Sequence, residues 1–376
     1  MAIGLFFAIL AVLLVVAMPM GGVFGIMAMV PSLLNPQFSF SVTDVARSMF
    51  AGMNSFTLLA VPMFMVSGMI MAEGGLSERL FNFFAYFIGN KTAGFPCAVV
   101  VTCMFYAAIS GSSPATVSAV GAMTIPFLVN MGYDLVFAAA IVTVAGGLGV
   151  IIPPSISYIV YSAAANASPS RLFIAGIIPG ILIGVSLMVY CFYYCRKNGE
   201  DKDKLLANYK AIREIGKVFM SGAKTYVNIL FVIAAANAFA RCLTLLRYPQ
   251  TISKSVLAVS DNRIVILLIM NAIMLVCGMI IDNIPNIMIL TPILVPIATA
   301  VGVDPVHFGI IMTCNLAMGM ITPPMGINLF VASGMTKIPM LKLARACIPF
   351  LIAFLISLVL IIFVPAVSMF LPGILG

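Results

Sequence analysis

Charge is scarce in this chain. Only 8% of its 376 residues are charged and 63% are hydrophobic, with a mean hydropathy of +1.19. Soluble domains carry roughly 25% charged residues, so a water-soluble fold is excluded. Histidine is nearly absent as well. The sole His307 lies at the end of an apolar run, beside Asp304, where it reads as a surface or interface residue. Neither a Ser–His pair within reach nor an HExxH helix is available, which removes the intramembrane protease classes. The eight cysteines show no metal-ligand spacing, and Cys191 and Cys195, four apart near a span end, read as small buried thiols. Alternation with period two is missing, which excludes a β-barrel. What remains is a polytopic all-α membrane protein.

Apolar segments of the length a bilayer requires, about 20 residues, recur throughout. They run at 3–34, 54–72, 93–109, 114–130, 135–165, 172–195, 225–245, 264–281, 284–301, 305–335 and 346–372. The first contains Pro19, Gly21 and Gly22 at its middle, so it forms one long span or two short pieces. It lacks a basic leader region and reads as a retained span rather than a signal peptide. The net charge of +8 comes from basic residues lying between spans, so it reports on orientation in the bilayer and not on nucleic acid. Eight of these residues, Arg196, Lys197, Lys202, Lys204, Lys210, Arg213, Lys217 and Lys224, fall in one stretch. With that stretch in the cytoplasm, and with 93–130 and 264–301 taken as re-entrant hairpins, thirteen basic residues lie inside and five outside.

The sequence also matches itself at an offset of 170. Pro126, Pro153, Pro154, Pro169 and Pro179 fall on Pro296, Pro323, Pro324, Pro339 and Pro349. Gly132, Asp134, Thr143 and Gly149 fall on Gly302, Asp304, Thr313 and Gly319. Shared apolar composition does not align five prolines. An odd number of crossings separates the copies, so the repeat is inverted, the pattern of a secondary transporter with paired interrupted helices.

Four interruptions carry the chemistry. The stretch YAAISGSSPATVSAVG at 106–121 breaks an uncharged run with a knot of Gly, Ser and Pro. Its counterpart in the second copy is IDNIPN at 281–286, shifted by one residue. Each reads as the tip of a helical hairpin, with proline at the start of the second arm and Ser or Asn capping free N–H groups. Non-helical backbone at that depth survives only where it is buried in protein or lines a cavity. The other two breaks are GGLGVIIPPS at 146–155 and GMITPPMGINLFVASG at 319–334. Tandem proline removes two backbone donors, and freed carbonyls beside hydroxyls are hard oxygen ligands suited to Na+. Asp282, with no basic residue between 264 and 336, either takes part in ion binding or proton transfer or caps its own turn.

These motifs, in this order, resemble the large membrane subunit of tripartite ATP-independent periplasmic (TRAP) transporters, and the resemblance covers nearly the whole chain. It implies an elevator-type arrangement of scaffold and transport domain and uptake of an organic acid driven by Na+. It also implies two partners, a small four-helix membrane subunit and a periplasmic substrate-binding protein. Carried over, one Na+ site would use Ser110, Ser112 and Ser113 with Gly147, Val150 and Pro153. The other would use Asp282 and Asn283 with Gly319, Thr322 and Pro323. The substrate would lie near Pro154, Pro324, Met325 and Asn328. The amphipathic stretches 41–52 and 211–222 look like interfacial arm helices. One departure stands out: members of the family carry two further apolar segments between the halves, whereas Arg196 here leads through GEDKDKLLANYKAIRE directly into the second arm stretch.

The expected organisation is a first repeat at 1–195, with scaffold and arm helices in 1–90 and the transport elements in 91–195. A cytoplasmic linker follows at 196–210. The second repeat spans 211–376, with arm and scaffold in 211–262 and transport elements in 263–376. The competing readings are a symporter or anion antiporter of the same superfamily that works without a binding protein, and a channel in which the hairpins line a pore.

Overall fold

A computed structural model describes residues 3–16, 18–34, 40–53, 74–89, 91–198 and 262–375, with scattered positions between 58 and 70 and between 235 and 251. The second arm stretch, the linker from 199 onward and most of the expected spans 54–72 and 225–245 lie outside the described residues.

The N-terminal run resolves into two helices, α1 (Ile3–Val15) and α2 (Met20–Leu34), separated at Pro19 as one of the two expectations had it. The first amphipathic stretch forms α3 (Val42–Met53), whose start is held by Ser41: its N–H and hydroxyl both donate to Asp44 Oδ2, at 2.9 and 2.7 Å. Next comes α4 (Leu76–Ile88), with Ser77, Phe81 and Ala85 buried and Phe83, Tyr86 and Phe87 exposed.

From residue 94 onward the two copies are built alike. The first contains α5 (Gly94–Ser110), α6 (Ser113–Asn130), α7 (Leu135–Ala145), a short 3-10 turn (Gly146–Val150), α8 (Ile156–Ala165) and α9 (Pro169–Asn198). The second contains α10 (Arg263–Ile280), α11 (Asn283–Ala300), α12 (Pro305–Gly319), α13 (Ile327–Thr336) and α14 (Met340–Phe363). Local chemistry explains the shared boundaries. Gly132 and Gly302 take positive φ of 90° and 76° in the turn after each hairpin. Asp134 and Asp304 then cap the following helices, accepting from Phe137 N at 2.9 Å and Val306 N at 2.7 Å. Both Pro-Pro bonds, Pro153–Pro154 and Pro323–Pro324, are cis.

Two expectations need correction. The 346–372 run is not one helix: it ends at Phe363, and α15 (Ala366–Leu375) follows the break at Pro365. His307 is not at the surface. It is 2% exposed, with Nδ1 2.6 Å from Ser368 Oγ on α15, so the short final helix covers it.

By length and composition four described helices are able to cross a membrane: α9, α10, α11 and α14. The two hairpins interlock with the opposite repeat. The second arm α6 packs on α13, and the second arm α11 packs on α8. Beside the tip between α10 and α11, Gly278 packs directly against Gly319 at the second break. Residues of both repeats share one continuous apolar core. At one end of it Phe137 stacks on Tyr194 at 3.8 Å while Tyr190 meets Phe350 edge-on at 4.5 Å.

Candidate functional site

The first tip is a tight structure with polar closure. After Ser110, Gly111 takes φ 58° and its N–H donates to Ala107 O at 2.8 Å. Its own carbonyl accepts from Ile156 N at 3.3 Å, at the start of α8. A Cβ on Gly111 would sit 3.1 Å from that nitrogen, so both conformation and space select glycine. Ser112 is extended and starts α6, but its side chain makes no cap bond. Thr116, one turn on, closes the tip instead: its Oγ1 donates to Ser112 O at 2.8 Å and lies 3.0 Å from Ser110 Oγ.

The second tip keeps the same register with different residues. The arm α10 ends at Ile280, 170 residues after Ser110, and Asp282 stands where Ser112 stands. Only the prolines are displaced, Pro114 lying second in its helix and Pro285 third, so neither occupies the first position expected from the sequence. Asp282 Oδ1 accepts from Asn283 N at 2.7 Å, which is the cap. Asn286, the counterpart of Thr116, donates Nδ2 to the carbonyls of Ile281 at 2.9 Å and Cys277 at 3.1 Å.

Each tip faces the break of its own repeat at very short range. A Cβ on Gly149 would lie 2.5 Å from Ser112 O, and one on Gly319 would lie 2.6 Å from the carbonyl carbon of Gly278. At the first break Ser155 Oγ donates to Val150 O at 2.6 Å and Tyr158 OH to Ile151 O at 2.8 Å. At the second, Thr322 Oγ1 donates to Met318 O at 2.8 Å, while Met325 N and Gly326 N donate to Met279 O on the hairpin at 3.1 and 3.3 Å.

Side chains then cross between repeats. Ser113 Oγ lies 3.0 Å from Asn328 Oδ1 and 2.7 Å from Asn328 Nδ2. Asn283 Nδ2 donates to Ser157 Oγ at 2.6 Å. Asn283 is 2% exposed, yet its Oδ1 has no protein partner. A buried acceptor without a partner costs about 1–3 kcal/mol and asks for a ligand.

Of the residues expected at the first ion site, Ser110, Ser112 and Ser113 share the tip, and Val150 is tied to it through the break. The α-carbon of Gly147 points elsewhere, toward Ile321 and Phe354, so the two breaks touch back to back there. Pro153 is half-buried. At the second site Asp282 and Asn283 form the tip, Gly319 packs against Gly278 just before it, and Thr322 and Pro323 lie in the break. The expected substrate residues separate: Asn328 is fully buried in the cross-repeat bond, Pro154 is half-buried, and Pro324 and Met325 are exposed. Sequence reasoning missed Thr116, Ser155, Ser157 and Asn286. The signal for two of them was present, since Thr116 and Asn286 are polar residues one turn into an apolar arm and 170 apart. The oxygens at the two tips are hydroxyl, amide and carbonyl groups, with the Asp282 carboxyl at the second, a set that fits a hard cation such as Na+. Among the described residues no three His, Cys, Asp or Glu side chains gather for a transition metal.

Comparison with known proteins identifies the architecture. The family model described as "Tripartite ATP-independent periplasmic transporter, DctM component" matches residues 7–207 and 204–367. The isethionate TRAP transporter permease protein DctMQ of Oleidesulfovibrio alaskensis is 36% identical over 98% of this chain, which spans 66% of that longer protein. The C4-dicarboxylate TRAP transporter large permease protein DctM of Pseudomonas aeruginosa is 36% identical over 89% of this chain and 91% of its own length. The sialic acid TRAP transporter large permease protein SiaM of Vibrio cholerae is 30% identical in an alignment of 411 positions covering 96% of both. Among solved structures, the YdaH transporter of Alcanivorax borkumensis superposes with a TM-score of 0.64 over 95% of this chain and 97% of its own, at 13% identity, a likeness of fold alone. These relatives are permeases and not enzymes, and with the apolar helices they make this a multi-pass inner-membrane protein. The chain belongs to the DctM family, the large membrane permeases of TRAP transporters.

Proposed function

We propose that this permease takes up an organic acid in symport with Na+, through two ion sites formed where each hairpin tip meets its helix break. The observation that carries the reading is the buried Asn283 Oδ1, an amide oxygen held in place by its own nitrogen yet lacking a partner. In a low-dielectric interior only a water or a cation relieves that cost, and the oxygen-only surroundings favour Na+. The relatives' named substrates, isethionate, C4-dicarboxylates and sialic acid, are all organic acids, which supports an anion of that class. The N-termini of α8 and α13, which follow the Pro-Pro pairs, suit its negative group. A periplasmic binding protein delivers the acid, and a small four-helix subunit braces the scaffold. The interlocked hairpins and broken helices then move as one body in an elevator step.

The test is reconstitution of the chain with those two partners in proteoliposomes. Labelled organic acid is followed with and without an inward Na+ gradient. Gradient-driven uptake that is lost in Asp282→Ala and Ser113→Ala supports the proposal. Uptake indifferent to Na+ and to both substitutions refutes it.

A further inference from the structure

We infer that Ser157 and Asn328 are positioning residues that join the two tips into one cooperative ion-binding unit. The inference rests on the Na+ reading above and deepens it. Both residues stand second in the half-helix that follows a Pro-Pro break, Ser157 in α8 and Asn328 in α13. Each reaches across to the first residue of the opposite repeat's second arm, Asn283 in α11 and Ser113 in α6, and those two are themselves 170 apart.

From Ser157 three hydrogen bonds, joined through the covalent frame of Ser157 itself, link the two sites. Val150 O, in the first break, accepts from Ser155 Oγ at 2.6 Å. Ser155 Oγ accepts from Ser157 N at 3.2 Å, and Ser157 Oγ accepts from Asn283 Nδ2 at 2.6 Å. Asn283 then presents its unpartnered Oδ1 at the second site. The path from Asn328 runs the other way. Its amide pairs with Ser113 Oγ at the first site, and its backbone N–H donates to Met320 O at 3.0 Å, next to Gly319 in the second break.

A purely structural brace would satisfy both ends of the Asn283 amide, because buried polar atoms are nearly always paired. Here the nitrogen is paired and the oxygen is left over. Ser157 therefore decides which end of the amide faces the site. A cation on Oδ1 polarises the amide and strengthens its bond to Ser157, and such chains reinforce one another. Ordering one tip also lowers the entropic cost of ordering the other. Coupling of this kind is reciprocal and typically 5- to 150-fold in affinity.

The experiment is thermal unfolding of the purified full chain against NaCl, with KCl holding ionic strength constant. The wild type should show Na+-specific stabilisation with a Hill slope above 1. Ser157→Ala should bring the slope to 1 and raise the half-saturating Na+ concentration about 5- to 150-fold. Ser157→Thr, which keeps the hydroxyl, should restore the slope, and Asn328→Ala should repeat the loss from the other tip. Melting in KCl alone separates any loss of stability from the loss of slope. If Ser157→Ala does not fold, Ser155→Ala cuts the same path one residue earlier and carries the same expectation. A wild-type slope that persists in the alanine variants overturns the inference and leaves the two-site reading standing. No Na+-specific stabilisation of the wild type overturns both.

Discussion

Replacing Gly149 by alanine is the sharpest perturbation of the contact between tip and break. The added methyl would lie 2.5 Å from Ser112 O, 2.7 Å from Thr116 Oγ1 and 2.8 Å from the Ser112 carbonyl carbon. Ordinary contact starts at 3.4 Å, so the tip must retreat by about 0.9 Å. The obstacle is backbone and cannot swing aside as the end of a long side chain can. Overpacking of this kind costs about 1–3 kcal/mol. The retreat also pulls on the Gly111 O to Ile156 N bond, already 3.3 Å long. Because Ser110, Ser112 and Thr116 all ride on the displaced tip, the loss should appear in ion binding. At 1.4 kcal/mol per tenfold, half-saturating Na+ should rise about 5- to 150-fold, read by Na+-dependent thermal stabilisation. Gly319→Ala should do the same at the second site, where the methyl meets Gly278 Cα at 2.7 Å and Met279 N at 3.0 Å. Gly132→Ala is the control. Its φ is +90° but nothing lies within 4 Å, so it should cost about 1–2 kcal/mol of backbone strain and leave Na+ half-saturation alone. Unchanged Na+ binding in both Gly149→Ala and Gly319→Ala would refute the argument that tip and break form one site.

Asn283→Leu removes the unpartnered oxygen with little change in volume. Loss of one oxygen ligand to the cation, set equal to a polar contact with a charged group at about 1.5–3 kcal/mol, predicts at least a tenfold rise in half-saturating Na+ by the same assay. Ser368→Ala takes away the hydroxyl at His307 Nδ1 in a site that is 2% exposed and should lower stability by about 1–3 kcal/mol in denaturant or thermal unfolding. At the start of α3, the Ser41 hydroxyl and N–H, helped by Arg47 and Arg241, hold the Asp44 carboxyl below its ordinary 3.8. A lowered acid stabilises the fold fully above its unfolded value and loses that contribution as pH falls through the folded one. Ser41→Ala should therefore move the Asp44 titration upward, measured by NMR on the labelled carboxylate.

Several helix ends around the two hairpins and breaks were legible because glycine, proline and aspartate mark them chemically. Asp134 and Asp304 cap, Gly132 and Gly302 turn, and the tandem prolines interrupt, each through an effect confined to one or two residues. The tips were legible as tips for the same reason. What was not legible is pairing across repeats. Ser157 follows Pro153–Pro154 as an ordinary cap-region serine, and its partner Asn283 lies 126 residues away. Nothing local distinguishes a serine that caps from one that orients an amide on another helix. Asn328 shows the same limit from the other side. The family resemblance implied a substrate role for it, and only packing places its amide on Ser113, 215 residues earlier. His307 was read as a surface or interface residue because it lies at the end of an apolar run beside Asp304. Pro365 was the available warning, since an isolated proline in such a run ends or kinks the helix, and the helix beyond it supplies the cover.

The family match itself divides in two, at 7–207 and 204–367, and the pieces meet in the hydrophilic stretch that follows Arg196. A chain of 376 residues cannot fill the 411 positions of its alignment with the Vibrio cholerae relative, so that relative carries residues this one lacks. The division falls between the repeats, where the sequence reading found two apolar segments missing. Both tips, both breaks and both cross-repeat pairs lie within 91–198 and 262–375, on either side of it. The division of the family match and the candidate site therefore occupy separate parts of the chain. Whatever the altered middle does to bracing against a partner, it leaves in place each oxygen proposed to hold an ion. Ion binding is thus the property to measure before transport, because every oxygen proposed to hold an ion lies within 91–198 and 262–375.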